Sequence, residues 1–172
     1  MKKQFLLAVV MSGIFFSSCQ KEINSPNNDI ALSVNSSGRH NEGVPFKGEY
    51  ETTSQLLQPP PILRQRITGI GEATHLGEST QVAFVTVNLT TPPPFHLSGT
   101  ATFTAANGDE FYTEFTGTNT PNGDGTATGI INHTITGGTG RFENATGNFT
   151  GTVLVNPANS TNHVTYLGSI SY

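Results

Sequence analysis

Tryptophan is absent from this 172-residue chain, cysteine occurs once, and charged residues make up only 12% of it. A single thiol cannot close an internal disulfide, and no Cys/His spacing resembles a zinc site, so apolar packing has to hold the fold. Lys and Arg number 8 against 12 Asp and Glu, and nowhere do the basic residues cluster. The electrostatic footprint of a nucleic-acid surface is therefore missing. No apolar run reaches the ~20 residues that a membrane-spanning helix needs. The length suits one modest domain and excludes a multidomain enzyme.

Catalytic and cofactor motifs are equally scarce. No Ser/His/Asp spacing has a nucleophile-elbow signature. The GGTGR stretch ending at Arg141 lacks the GK[ST] close of a phosphate-binding loop. Asn122-Gly123-Asp124-Gly125 offers oxygen ligands without EF-hand spacing or its terminal Glu. The sequence thus calls for no cofactor and no metal.

What is present begins with an address. Met1-Lys2-Lys3 is a short basic segment, Phe5 to Phe16 is apolar, and Ser17-Ser18 leads directly into Cys19. The apolar run has the length of a signal-peptide core and is too short to span a bilayer as a helix. The arrangement resembles a bacterial lipoprotein signal, in which diacylglycerol is attached to the cysteine thiol, the chain is cleaved before it, and the new amino terminus is acylated. The resemblance implies residues 1–18 as signal peptide, Cys19 as lipid attachment site and the membrane as partner. The implied location is the bacterial cell envelope, at the outer membrane. Gln20-Lys21-Glu22 is similar to the surface-export signal of some Gram-negative lipoproteins. Several acyl chains at ~0.8 kcal/mol per buried methylene anchor stably where one would not. The remainder of residues 19–43 is polar and rich in Asn and Ser, and reads as a disordered tether.

Residues 44–172 carry the domain. The chain holds 19 Gly and 10 Pro, and Thr abounds in this part, a composition of strands and tight turns. Eight strand-like runs are predicted: 45–53, 62–74, 80–89, 95–105, 110–118, 126–136, 147–155 and 163–172. Between them lie segments such as QPPP, TTPPP, PNGDG and NPANSTN, which supply positive φ or forbid ladder pairing. Alternation sets the faces. Phe95, Leu97, Gly99, Ala101 and Phe103 share one side of the fourth run, and Val164, Tyr166, Gly168, Ile170 and Tyr172 one side of the eighth. With too little helix to cover an open sheet, the strands are expected to close as a single eight-stranded antiparallel up-and-down β-barrel. A two-sheet sandwich is the alternative. Arg141 to Ala145 reads as one helical turn that tucks Phe142 under the barrel as a plug.

The segment Thr136-Gly137-Gly138-Thr139-Gly140-Arg141-Phe142-Glu143-Asn144-Ala145-Thr146-Gly147 resembles the GGTGRF-x-x-A-x-G segment of allene oxide cyclase-like and dirigent-like proteins. Gly71-Glu72-Ala73-Thr74-His75-Leu76-Gly77 and Asn107-Gly108-Asp109-Glu110 add to it. The resemblance implies the same eight-stranded barrel and, if there is turnover, a cyclase or isomerase acting on a reactive lipid or phenolic intermediate. It carries over no catalytic residue, because its best-matched part is a turn that positions a strand.

The functional expectation is a membrane-anchored lipoprotein whose barrel binds a small apolar ligand; a structural or adhesive surface module with a filled barrel is the remaining alternative. Alternation selects Tyr50, Phe103, Phe111, Phe115, Phe149 and Tyr166 as lining residues. His133 joins them because it alternates with Ile131 and Ile135; a core His satisfied by a neighbour is the plainer reading. Glu49 and Glu51 on the first run and Arg64 and Arg66 on the second are expected to pair across the ladder. Asp109, Glu110 and His75 are expected to serve turns.

Overall fold

β-Branched and aromatic residues alternating with polar ones favour extended chain, and Gly, Pro, Asn and Asp interrupt it at regular intervals. The outcome in the computed structural model, which describes residues 43–172, is eight strands: β1 Val44–Gln58, β2 Ile62–Ala73, β3 Gly77–Asn88, β4 Phe95–Thr104, β5 Glu110–Pro121, β6 Ala127–Gly138, β7 Thr146–Asn156 and β8 Thr161–Ser171. Each pairs antiparallel with its sequence neighbours. β8 returns to β1, from Val44↔Ile170 to Thr53↔Thr161, which closes the barrel. Closure removes every free sheet edge. The expected strand order, antiparallel sense and up-and-down connectivity are all found, and the sandwich is not. The signal peptide, Cys19 and the tether lie outside the described residues.

Six of the eight strands run longer than alternation predicts, most clearly β1, which extends to Gln58 rather than ending at Thr53, while β2 and β4 stop one residue short and β8 ends at Ser171, leaving Tyr172 exposed beyond it. The last residues of β1, Gln55 to Gln58, are exposed and set two leucines side by side, so no period-two alternation marks them; they are held by pairing with β2 through a bulge between Leu56 and Gln58. Inward faces follow the parity read from sequence: Leu97, Ala101 and Phe103 on β4, and Val164, Tyr166 and Ile170 on β8, are buried. Among the described residues the core cluster runs from Phe46 to Ile170. A closed sheet with its own core is a unit that folds by itself.

The two ends of the barrel differ. One end carries the β2–β3, β4–β5 and β6–β7 connections together with the start of β1. Here Phe46, Tyr50, Phe103, Phe111 and Phe149 fill the lumen, with Phe103 stacked on Phe111 at 4.7 Å between centroids. Phe142, on a 3₁₀ turn at Gly140–Phe142, is fully buried and meets Phe111 edge-on at 5.6 Å, as the plug reading expects. Inward glycines make room for these rings. A Cβ on Gly151 would lie 2.7 Å from the Tyr166 ring, and one on Gly99 2.5 Å from that of Phe115. At the opposite end the inward residues are shorter, and the lumen stays open.

Candidate functional site

Toward the open end the inward positions are Ala83, Val85 and Val87 on β3, Leu97 on β4, Ile131 on β6, and Val153 and Val155 on β7. Aliphatic side chains of this length do not meet across an eight-stranded lumen that aromatic rings fill at the other end. They leave a cavity of about 310 Å³, at the lower end of the ~300–1,000 Å³ range of small-molecule sites. Phe95 and Phe115 add two aromatic walls. Among the described residues, the side chains that line this space include no Asp, Glu, Lys or Arg.

Its polar groups are neutral, and five of the nine polar lining residues besides Tyr166 stand on one side: Thr52 and Ser54 on β1, Gln65 on β2, Asn162 on β8 and Ser160 in the β7–β8 connection. The closed sheet makes β8, β1 and β2 consecutive, so these residues form a polar stripe, broken by Leu63 and Ile67 of β2 and Val164 of β8, while Gln81, Asn119, His133 and Asn156 place single polar groups among the apolar residues of β3 to β7. The Asn162 amide donates to Thr52 Oγ1 and Ser54 Oγ, both at 3.1 Å. Two further hydroxyls tie down the floor. Tyr166 donates to Gln81 Oε1 at 2.8 Å, and Tyr50 shares a 2.6 Å hydrogen bond with Ser79. Burial pushes the Tyr50 hydroxyl up to about 12, with the Ser79 bond pulling the other way, and raises that of Tyr166 further still. Both phenols stay protonated and neutral.

His133 is buried between Phe149, stacked on it at 4.6 Å, and Phe115 at 4.9 Å. Its Nδ1 shares a 3.0 Å hydrogen bond with Thr113 Oγ1. Apolar surroundings lower its pKa from the ordinary 6.5 to about 3, which keeps the imidazole neutral. Three buried polar atoms in residues that line the cavity have no hydrogen-bond partner among the described residues: His133 Nε2, Asn119 Oδ1 and Asn162 Oδ1. Leaving such an atom unpaired costs roughly 1–3 kcal/mol.

The seven lining residues read from alternation all point inward, and they divide. Phe115, His133 and Tyr166 border the cavity; Tyr50, Phe103, Phe111 and Phe149 sit in the filled half, against one another. Alternation identifies the inward face without saying at what height two opposite rings meet. The amide and hydroxyl side chains of the lining other than Tyr166 escaped the sequence reading, Gln81, Asn119 and Asn162 among them, as did Thr113 behind His133. Parity was the signal that could have found them, since Gln81 alternates with Ala83 and Val85, and Asn162 with Val164 and Tyr166.

The remaining candidates serve the closed end. Arg141 Nε lies 3.7 Å from Asp109, and its guanidinium donates to the carbonyl of His75. His75 takes positive φ and bonds through Nε2 to the Pro45 carbonyl at 3.1 Å. Gly140 has φ +54, and a Cβ there would run into the Asp109 carboxylate. The GGTGRF segment is thus a clamp that seats Phe142. The expected pairing of Glu49 and Glu51 with Arg64 and Arg66 does not form. Register sets Arg66 opposite Gln55 and Glu51 opposite Ile70, while His163 on β8 lies 3.4 Å from Glu49 and 2.7 Å from Glu51.

Among the described residues no group of three or more His, Cys, Asp or Glu side chains is placed to hold a metal ion. The cavity can therefore offer shape, apolar contact and neutral hydrogen bonds. Comparisons of the chain with protein-family models, curated proteins and solved structures found no match.

Proposed function

We propose that this protein is a bacterial lipoprotein, anchored through Cys19, whose barrel binds a small and mostly apolar ligand in the open half of its lumen. The observation that carries the reading is the cavity of about 310 Å³ with an aliphatic and aromatic wall and no charged lining residue. An apolar guest gains roughly 25 cal/mol per Å² of surface removed from water there. A wholly filled structural module would have no such space. β1 begins at the filled end, away from the mouth.

The family resemblance also allows a cyclase or isomerase. That chemistry asks for a group that moves a proton near neutral pH, and an imidazole held at about 3 is a weak base there. Binding without turnover fits the lining better. Native mass spectrometry of protein made in its own host tests the reading: a copurified small molecule, released on unfolding, is expected, and consistently ligand-free protein that takes up no apolar probe would sink it.

A further inference from the structure

We infer that the ligand is an uncharged amphiphile that carries a hydroxyl donor, bound with that hydroxyl at Asn162 on the β8–β1–β2 stripe and its apolar body against the aliphatic and aromatic lining. The inference rests on the ligand-binding reading and specifies its chemistry. The absence of charged lining residues among the described residues disfavours carboxylates, phosphates and ammonium groups, which would lose water and gain no counter-charge. The hydrogen-bond inventory of the stripe then sets the complement. Both donor positions on the Asn162 amide nitrogen point to protein hydroxyls, at Thr52 and Ser54, while its carbonyl oxygen is left over. The Asn119 carbonyl oxygen, on β5, is left over as well.

His133 Nε2, on β6, is unpartnered too and takes either role according to the tautomer; both amide oxygens are acceptors in want of a donor. A ketone, ether or ester brings only acceptors and leaves them unpaired; an alcohol brings the missing hydrogen and can accept in return. The lining thus discriminates by hydrogen-bond type as well as by polarity. Sites whose buried polar groups need a partner reject the analogue that lacks it far more strongly than apolar pockets reject a change of size.

Three probes of equal chain character separate the possibilities in calorimetric titrations of the barrel, residues 43–172, without lipid or detergent: 1-octanol, methyl octyl ether and octanoate at neutral pH. Octanol is expected to bind about tenfold or more tightly than either of the others, about 1.4 kcal/mol. Octanoate or the ether binding as tightly as octanol would overturn the inference while leaving the ligand-binding reading in place. No binding by any of the three would remove both. Asn162→Leu is expected to cut octanol affinity at least about fivefold and leave the ether unchanged, whereas Asn119→Leu, across the ring on β5, is expected to cut it less than about twofold. Equal loss for both probes in Asn162→Leu would mean that the amide only supports the wall, and a larger loss in Asn119→Leu than in Asn162→Leu would put the hydroxyl elsewhere; either would also overturn it.

Discussion

Tyr166 on β8 and Gln81 on β3 meet across the lumen, phenol hydroxyl to amide oxygen, at 2.8 Å. One side of the Tyr166 ring belongs to the aromatic core, at 5.3 Å from Phe149 and 5.4 Å from Phe103, and the residue also borders the cavity. The pair is the floor between the filled half and the open one. Tyr166→Phe keeps the ring and leaves the Gln81 oxygen buried without its donor. A loss of about 1–3 kcal/mol is expected in urea unfolding, read as a lower midpoint at unchanged slope. An unchanged midpoint would show that the floor does not depend on this bond.

His133 makes stability depend on pH with a determinable sign. Its folded pKa, about 3, lies below the ordinary 6.5, so the unfolded chain takes up the proton first as pH falls. This contribution is complete above about pH 6.5 and declines by roughly 1.4 kcal/mol per pH unit on the way down to about 3. His133→Leu should flatten the pH dependence of the unfolding free energy between 6.5 and 5, where carboxylates contribute little. A variant as pH-sensitive as the parent would show that the imidazole is not held neutral.

Phe142→Ala removes a fully buried ring from the plug, and a cost of about 3–5 kcal/mol is expected. Asp109→Ala loosens the same turn from outside. Its partner Arg141 is 40% exposed, so the solvent-screened pair contributes little and about 1 kcal/mol or less is lost. Thermal melting of the two variants should rank them in this order. The reverse ranking would mean that the clamp, not the ring, holds the closed end.

Ala83 is buried on the aliphatic wall of the cavity. Ala83→Leu places extra methyl groups into open space instead of into packed core. Unfolding stability should be retained or rise by up to about 1 kcal/mol, whereas uptake of an apolar probe falls at least about tenfold. Loss of stability without loss of uptake would put the ligand elsewhere.

Cys19→Ser tests the anchor. Radiolabelled palmitate should be incorporated by the parent and not by the variant, and the variant should leave the membrane fraction. Labelling that survives the substitution would exclude Cys19 as the attachment point.

Much of the barrel is legible in sequence because turn chemistry is local. The residues that supply positive φ, Gly77, Gly108, Gly123 and Gly125, stand in or beside predicted breaks. Strand parity is local too, which is why His133 is correctly turned inward. The filled and open halves were harder to separate. Phe103 and Phe115 share the inward parity of neighbouring strands, yet Phe103 is stacked on Phe111 while Phe115 borders the cavity. Only register, which slides one strand along the next, sets their relative heights. The misplaced charge pairs have the same origin, since parity puts Glu51 and Arg66 on the outer face while register sets them opposite Ile70 and Gln55.

Local chain chemistry was enough for the number of strands, their order, the inward face of each and the turn that seats Phe142. Those depend on backbone preference and period-two alternation within a few residues. The cavity, its polar stripe and the unpartnered amide oxygens of Asn119 and Asn162 came only with closure. They depend on which side chains from nonadjacent strands arrive at one level of the lumen, and that distance is set by the stagger of the whole ring.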